Sequence, residues 1–145
     1  MGDRVESPPF EILEHTADIG LMARGQTLQE LFEHAALGMA EILDRARPAP
    51  VGGESTSEPV RVQATDIEAL LVEWLNEVLF RLESSGRCLC SAEIRELDGH
   101  SLRGEVGLSD CVGEPEGTEL KATTYHQLSI RPAGAGWAAT VYFDV

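Results

Sequence analysis

The sequence predicts an α+β fold in which two amphipathic helices pack on a mostly antiparallel or mixed β-sheet, within a single domain spanning residues 1–145. Three observations support this class. The length of 145 residues is that of one ordinary domain with one core. Two segments carry apolar residues at helical spacing. The second half contains alternating runs separated by Gly-rich and Pro-rich turns, a pattern typical of antiparallel strands.

The first segments of the chain predict strands and two irregular stretches. Residues 10–24 indicate two short strands joined by a polar turn at residues 15–18. Residues 1–9 are polar and contain proline, so we expect them to be flexible. Residues 44–59 are rich in Pro, Gly, Ser and Glu, which predicts a loop.

Two helices are predicted from capping boxes followed by apolar stripes. Thr27 with Glu30 precedes the first stripe, and Thr65 with Glu68 precedes the second. The first stripe consists of Leu28, Leu31, Phe32, Ala35, Met39 and Ile42. The second consists of Ile67, Leu70, Leu71, Trp74, Leu75, Val78, Leu79 and Leu82. Both patterns give one apolar face that must be buried against other elements.

Further strands are predicted from alternation. One lies between the helices, where Val60, Val62 and Ala64 alternate. Four more follow the second helix, at residues 89–97, 101–108, 120–131 and 136–143. The chain thus predicts two strands, a helix, a strand, a helix and a meander of four strands.

The charge of the chain argues against direct contact with nucleic acid. Its 25 acidic and 11 basic residues give a net charge of -14 and a pI near 4.5. A phosphate backbone would be repelled, so any contact with RNA is expected to run through a partner. Neither a secretory leader nor a membrane span is apparent, and we expect a cytoplasmic protein. Cys88, Cys90 and Cys111 lack a C-x-x-C spacing, so we expect reduced, mostly buried thiols, with a zinc or redox site as the less favoured alternative. Reduced thiols also favour the cytosol.

Carboxylates at opposite ends of the chain are the first candidates for a functional site. Asp18 directly precedes an apolar strand. An ordinary role, in which its side chain hydrogen-bonds its own backbone in a turn, is about as strongly expected as a functional one. Asp144 lies in a predicted strand beside the carboxylate of Val145, which concentrates negative charge. A cation offsets such repulsion, and oxygen ligands suit Ca²⁺, Mg²⁺ or Mn²⁺ better than Zn²⁺.

Two further polar residues interrupt apolar elements. Glu77 lies on the second helix, and Lys121 is the only lysine in the chain. Lys121 could be a counter-ion, a phosphate contact or an ordinary surface charge. We expect the ordinary surface charge about as strongly as the other two together. Motifs of nucleotide-binding and common hydrolytic enzymes are absent from the sequence.

Four segments, taken in order, resemble the signature blocks of the archease family. They are His15-Thr16-Ala17-Asp18-Ile19-Gly20, Trp74-Leu75-Asn76-Glu77, Lys121-Ala122-Thr123-Thr124-Tyr125-His126, and Gly136-Trp137 with the closing Phe143-Asp144-Val145. The blocks extend over essentially the whole chain, and their order makes the resemblance specific.

The resemblance implies a non-catalytic accessory protein that activates the GTP-dependent tRNA-splicing ligase. In that family the accessory protein promotes guanylylation of the ligase's active-site histidine and lets the ligase turn over repeatedly. It implies metal ligands at Asp18, Asp144 and a backbone or terminal oxygen of Val145, with Ca²⁺ the expected ion and Mg²⁺ or Mn²⁺ as alternatives. It also implies that Glu77 and Lys121 take part in activating the partner.

Two functions from other classes remain open at this point. One is a small metal-dependent hydrolase or phosphotransferase that acts alone, which would need a substrate pocket and an activated nucleophile. The other is a chaperone-like binding module without a metal.

Overall fold

The computed structural model describes residues 8–14, 18–48 and 54–145, and within these ranges it has seven strands and two helices. In chain order they are β1 (Phe10–Glu14), β2 (Asp18–Gly25), α1 (Leu28–Ile42), β3 (Ser55–Gln63), α2 (Ile67–Ser85), β4 (Cys88–Leu97), β5 (Ser101–Ser109), β6 (Ala122–Ala133) and β7 (Gly136–Asp144). This is the predicted order of elements, and the α+β class is confirmed.

The strands form two antiparallel sheets rather than the one sheet predicted. The first sheet has the order β1-β2-β7-β6, and the second has the order β3-β5-β4. All pairings within both sheets are antiparallel. The terminal strand β7 lies inside the first sheet, between β2 and β6, so the end of the chain is paired on both sides.

The predicted capping box of α1 is present. The Thr27 hydroxyl accepts a hydrogen bond from the Glu30 N–H at 3.0 Å, and the Glu30 carboxylate accepts one from the Gln26 N–H at 3.0 Å. These contacts satisfy backbone donors that the first helical turn leaves free.

The predicted capping box of α2 is wrong. The residue that caps this helix is Asp66, whose carboxylate accepts the Ala69 N–H at 2.7 Å. Glu68 instead accepts the N–H of Ile130 in β6 at 3.1 Å. Asp and Thr are both good capping residues, and the choice between neighbours depends on where the backbone enters the helix.

Helix side chains cover the outer edge of one strand in each sheet. Asn76 and Glu68 of α2 accept backbone N–H groups of β6, and Glu33 of α1 accepts the N–H of Ile94 in β4 at 2.8 Å. An open strand edge is a template for pairing with other chains, so these contacts protect both edges against aggregation.

A single hydrophobic core lies between the two sheets and the helices. It includes Leu21 and Phe143 from the first sheet, and Val106 from the second. Trp74 of α2 is fully buried in this core, and its indole N–H donates to the Phe32 carbonyl of α1 at 2.9 Å. This hydrogen bond satisfies the polar atom of the largest buried side chain and joins the two helices.

The predicted loop at residues 44–59 is too long. β3 begins at Ser55 and pairs with β5 along its whole length, although it contains Pro59. Proline is tolerated here because β3 is an edge strand whose outward N–H groups have no strand partner. Residues 49–53 and 1–7 lie outside the described part of the chain. Of the N-terminal segment expected to be flexible, Pro8 and Pro9 are described. Both carbonyls accept hydrogen bonds from Arg24, Pro9 from its N–H at 2.9 Å and Pro8 from its guanidinium at 3.3 Å.

The expectation of three reduced thiols is also wrong. Cys88 and Cys111 form a disulfide, and Cys90 is a free thiol. The sequence separation of 23 residues gave no indication of this pairing, because β4 and β5 bring the two residues together only in the folded sheet. The cysteines therefore no longer support the cytoplasmic location. In the described part of the chain, neither helix is long and apolar enough to cross a membrane.

Candidate functional site

Asp18 and Asp144 lie directly opposite each other at one end of the first sheet. Asp18 is the first residue of β2, Asp144 is the last of β7, and the two are paired in the antiparallel register. Directly opposite residues share one face of a sheet, with Cβ atoms about 4.5–5.5 Å apart. The register therefore brings together two acidic residues that are separated by most of the chain.

Both carboxylates project from the face of the sheet that points away from the core. The next pair along the two strands, Ile19 and Phe143, packs in the core, so alternation places the aspartates on the opposite face. Neither carboxylate has a hydrogen bond or ion pair within residues 8–14, 18–48 and 54–145. Their mutual repulsion is consequently not offset by an ion pair in those ranges.

Side-chain ligands alone do not complete a metal site in the described residues. No group of three or more His, Cys, Asp and Glu side chains there is placed to hold a metal ion. The two predicted carboxylate ligands are adjacent, and the third predicted ligand, Val145, would contribute an oxygen of its backbone or terminus. His15 and its neighbours Thr16 and Ala17, which precede Asp18, lie outside the described part.

Lys121 is placed beside Asp144. Its backbone N–H donates to the Asp144 carbonyl at 2.9 Å, and the following residue, Ala122, pairs with Asp144 in the register of β6 and β7. The side chain is exposed, and its ammonium has no ion-pair partner among the residues that the structure describes. A free positive charge therefore lies at the same end of the sheet as the two carboxylates.

Glu77 is near this end of the sheet, but its carboxylate points elsewhere. It accepts a hydrogen bond from the Arg81 Nε at 2.8 Å, and Arg81 also contacts Glu58 of β3 at 3.0 Å. The network ties α2 to the edge of the second sheet. Of the predicted site residues, Asp18, Asp144 and Lys121 are brought together, and the Glu77 carboxylate is directed away from them.

The contact that positions α2 against this site was not predicted. The Asn76 side-chain oxygen accepts the Thr123 N–H at 2.8 Å. Asn76 directly precedes Glu77, and Thr123 follows Lys121 by two residues, so this hydrogen bond holds the two predicted activation residues on neighbouring elements. The Thr123 hydroxyl is buried and has no hydrogen-bond partner in the described part of the chain. A helical asparagine on the boundary of an apolar stripe was the signal that could have identified this contact.

Tyr142 and Gly20 shape the same face of the first sheet. They are paired in the register, and a Cβ at Gly20 would lie 2.7 Å from the Tyr142 ring, so only glycine leaves room for the ring. The His126 ring meets Tyr142 edge-on, with centroids 5.9 Å apart. The aromatic pair joins β7 to the bulge in the edge strand β6.

A second surface rich in charge lies on the second sheet, in a cavity of about 470 Å³. Four arginines line it, namely Arg61, Arg81, Arg95 and Arg103. Hydrogen bonds from Arg95 and Ser57 hold the pKa of Glu105 below its ordinary value. Since most of the arginines here have carboxylate partners, this surface is best explained as a solvated ion-pair network.

Comparison with known proteins assigns the chain to a family. Residues 10–145 match the model of the Archease protein family. The chain is 40% identical over 143 residues to Protein archease of Methanosarcina acetivorans, covering 94% of this chain and 95% of that protein. It is 33% identical over 141 residues to Protein archease of Saccharolobus solfataricus, covering 94% and 98%.

Two solved structures have the same fold. A protein of Methanobacterium thermoautotrophicum, solved in solution, superposes with a TM-score of 0.72 at 28% identity, covering 94% of this chain and 99% of that one. A crystal structure from Thermotoga maritima, described as an archease and possible chaperone, superposes with a TM-score of 0.64 at 22% identity, covering 99% and 100%. The latter comparison supports the fold alone. The family match and the curated relatives together show that the chain belongs to the archease protein family.

Proposed function

We propose that this chain is a non-catalytic accessory protein that activates the GTP-dependent tRNA-splicing ligase, promoting guanylylation of the ligase and its repeated turnover. The observation that supports this most is the grouping of Asp18, Asp144 and Lys121 at one end of the first sheet. These are residues that the resemblance implies for metal binding and for activation, and they lie far apart in the sequence.

The proposed ligands of a divalent cation are Asp18, Asp144 and an oxygen of Val145. The fit rests on two adjacent carboxylates without a basic partner in the described residues, and oxygen donors suit Ca²⁺, with Mg²⁺ or Mn²⁺ as alternatives. When bound, the cation would offset the repulsion and hold the ends of β2 and β7 together. Since Ca²⁺ takes six to eight oxygens, water or partner oxygens would supply the remainder.

Lys121 and Glu77 are proposed to act on the ligase. The Lys121 ammonium is exposed and has no ion-pair partner in the described residues, so it can meet a phosphate or carboxylate that the partner presents. Glu77 is oriented by Arg81, which restricts its carboxylate to one direction. A charge that is oriented before binding costs less to order in the complex.

RNA is proposed to contact the chain only through the ligase, in cytoplasmic tRNA splicing or RNA repair. The net charge of -14 leaves few basic side chains to neutralise phosphates. The purified chain should accordingly bind tRNA weakly and without the steep salt dependence of a nucleic-acid-binding protein. Submicromolar binding of tRNA near physiological salt would contradict this part of the proposal.

A single assay distinguishes the candidate functions. RNA ends carrying a 2′,3′-cyclic phosphate and a 5′-hydroxyl are incubated with GTP and Mn²⁺, with and without a limiting amount of ligase. We expect joined product in excess of ligase only when both proteins are present. Product formed or RNA hydrolysed by the chain alone would indicate a stand-alone enzyme. If the chain only keeps the ligase from aggregating, without affecting guanylylation, the chaperone-like function is the better description.

A further inference from the structure

A disulfide joins β4 to the segment that leads into the proposed site. Cys88 is the first residue of β4, and Cys111 lies in residues 110–121, which we call the strap because they cross from the second sheet to the first. Cys88 is completely buried, whereas Cys111 is partly accessible to solvent. The two residues of the bond therefore differ in their exposure to a dissolved reagent.

The strap has a second attachment that does not depend on the disulfide. The Glu116 N–H donates to the Asp44 carboxylate at 2.9 Å, and the Thr118 N–H donates to the Ile42 carbonyl at 3.0 Å. Residues 112–115 lie between the two attachments, and Val112 there is 81% exposed. Breaking the disulfide would consequently free this short stretch, while the Asp44 contact would still hold the rest of the strap.

We propose that Cys88–Cys111 is a reversible redox modification site, reduced by a small dithiol, whose state controls the mobility of residues 112–115. A thiolate of the dithiol attacks the accessible Cys111 sulfur, the sulfur–sulfur bond breaks, and Cys88 leaves as a thiolate that takes up a proton. The second thiolate of the reagent then attacks the mixed disulfide. Cys111 is released, and the reagent leaves as a cyclic disulfide, so two electrons pass from the dithiol to the chain.

The charge of the strap selects among thiol reagents. The strap contains four acidic residues, Asp110, Glu114, Glu116 and Glu119, and one basic residue, Lys121, at its far end. Arg87 pairs with Asp110 at 3.3 Å, so the negative charge near Cys111 comes mainly from the three glutamates. An anionic thiol such as glutathione is repelled by this segment, whereas a dithiol without other charges is repelled less. Because added salt screens the interaction, the difference between the two reagents should narrow as ionic strength rises.

The site is independent of the proposed function, since it needs neither a metal nor the ligase. Its readouts are the redox state of the bond and the motion of the strap in the isolated chain. The hydrogen bond of Thr118 provides an internal reference, because that amide belongs to the attachment that reduction leaves in place.

Backbone ¹⁵N relaxation on the full chain tests the proposal. The order parameters of the amides of residues 112–114 are measured before and after reduction with dithiothreitol, with Cys90→Ser as the control variant that keeps the bond. We expect these order parameters to fall below about 0.6 on reduction, with little change at Thr118. Cys111→Ser should match the reduced protein without any reductant. Wild type re-oxidised after reduction should regain its higher order parameters, which covers the case that the variant folds poorly.

Three results would overturn the proposal. The first is a count of three titratable thiols, rather than one, in the unfolded protein after mild oxidation. The second is unchanged order parameters at residues 112–114 after complete reduction. The third is equal rates of reduction by glutathione and dithiothreitol thiolates at low salt, which would remove the role of the acidic strap.

Discussion

Asp18 and Asp144, the residues that begin β2 and end β7, lie opposite each other on adjacent strands of the first sheet, although most of the chain separates them in sequence. Both carboxylates lie on one face without an ion-pair partner in the described residues. Without a cation, removing either charge should relieve repulsion and stabilise the fold. With a bound cation, the same substitution removes a ligand and should destabilise the fold. In EGTA we expect Asp18→Asn to be as stable as the wild type or more so. In Ca²⁺ at about 100 times its Kd, the wild type should gain about 2.7 kcal/mol, and the variant should gain little.

Thermal unfolding with and without Ca²⁺ measures this difference directly. Glu114→Gln is a suitable control, because Glu114 is exposed and has no contact with the aspartates. Equal stabilisation of wild type, Asp18→Asn and Asp144→Asn by Ca²⁺ would show that the cation binds elsewhere.

Lys121→Ala should abolish activation of the ligase while leaving the fold intact. The hydrogen bond that Lys121 makes to Asp144 is donated by its backbone N–H, which alanine retains. The free energy of unfolding should therefore change by no more than about 0.5 kcal/mol, as is usual for surface positions. Ligase turnover and the melting temperature are measured on the same preparation, beside Glu119→Ala as a neighbouring exposed control. Normal turnover with Lys121→Ala would assign the residue to an ordinary surface role.

Periodicity was sufficient to predict the elements. The charge pattern identified Asp18, Asp144, Glu77 and Lys121 as candidates, and the family resemblance assigned their roles. Every helix and strand was predicted in the correct order, because alternation and helical spacing depend on neighbours in the sequence. The pairing of Asp18 with Asp144 depends on the register between β2 and β7, which local patterns do not specify. The division into two sheets likewise depends on long-range pairing.

Contacts that depend on side-chain direction were the ones missed. Thr65 and Asp66 are both good caps, and only the backbone path decides that Asp66 caps α2. Cys88 and Cys111 had no informative spacing, since the pairing of β4 with β5 brings them together. Asn76 lies within one of the four signature segments, but its contact with the edge of β6 requires the packing of α2 on that strand.

Asn76→Ala should destabilise the fold and expose the edge of β6. The substitution removes the acceptor of the Thr123 N–H, and Thr123 is only 5% exposed, so water cannot readily replace it. We expect a loss of about 1–3 kcal/mol in the free energy of unfolding, measured by urea denaturation. Glu73→Ala, on an exposed position of the same helix, should change stability much less. If both variants unfold at the same urea concentration, the Asn76 contact contributes nothing beyond helix propensity.

Asp44 links the end of α1 to the strap and should make stability depend on acid pH. The Glu116 N–H and the Arg47 guanidinium both donate to its carboxylate, and they hold its pKa below the ordinary value of 3.8. A carboxyl group whose pKa is lowered in the folded state stabilises the fold above its unfolded pKa. That contribution is lost as the pH falls through the folded value.

Asp44→Asn should therefore be less stable than the wild type near pH 6, and the difference should shrink as the pH falls below about 4. Asparagine suits this test because Asp44 has a φ of 57°, a conformation that Asn adopts readily, and because its side-chain oxygen can still accept the Glu116 N–H. The substitution thus removes mainly the charge. Urea midpoints of both proteins between pH 3 and pH 7 measure the effect, with Glu114→Gln as a control in the same strap. A difference between Asp44→Asn and wild type that stays constant down to pH 3 would mean that the hydrogen-bond geometry, and not the ionised carboxylate, stabilises this junction.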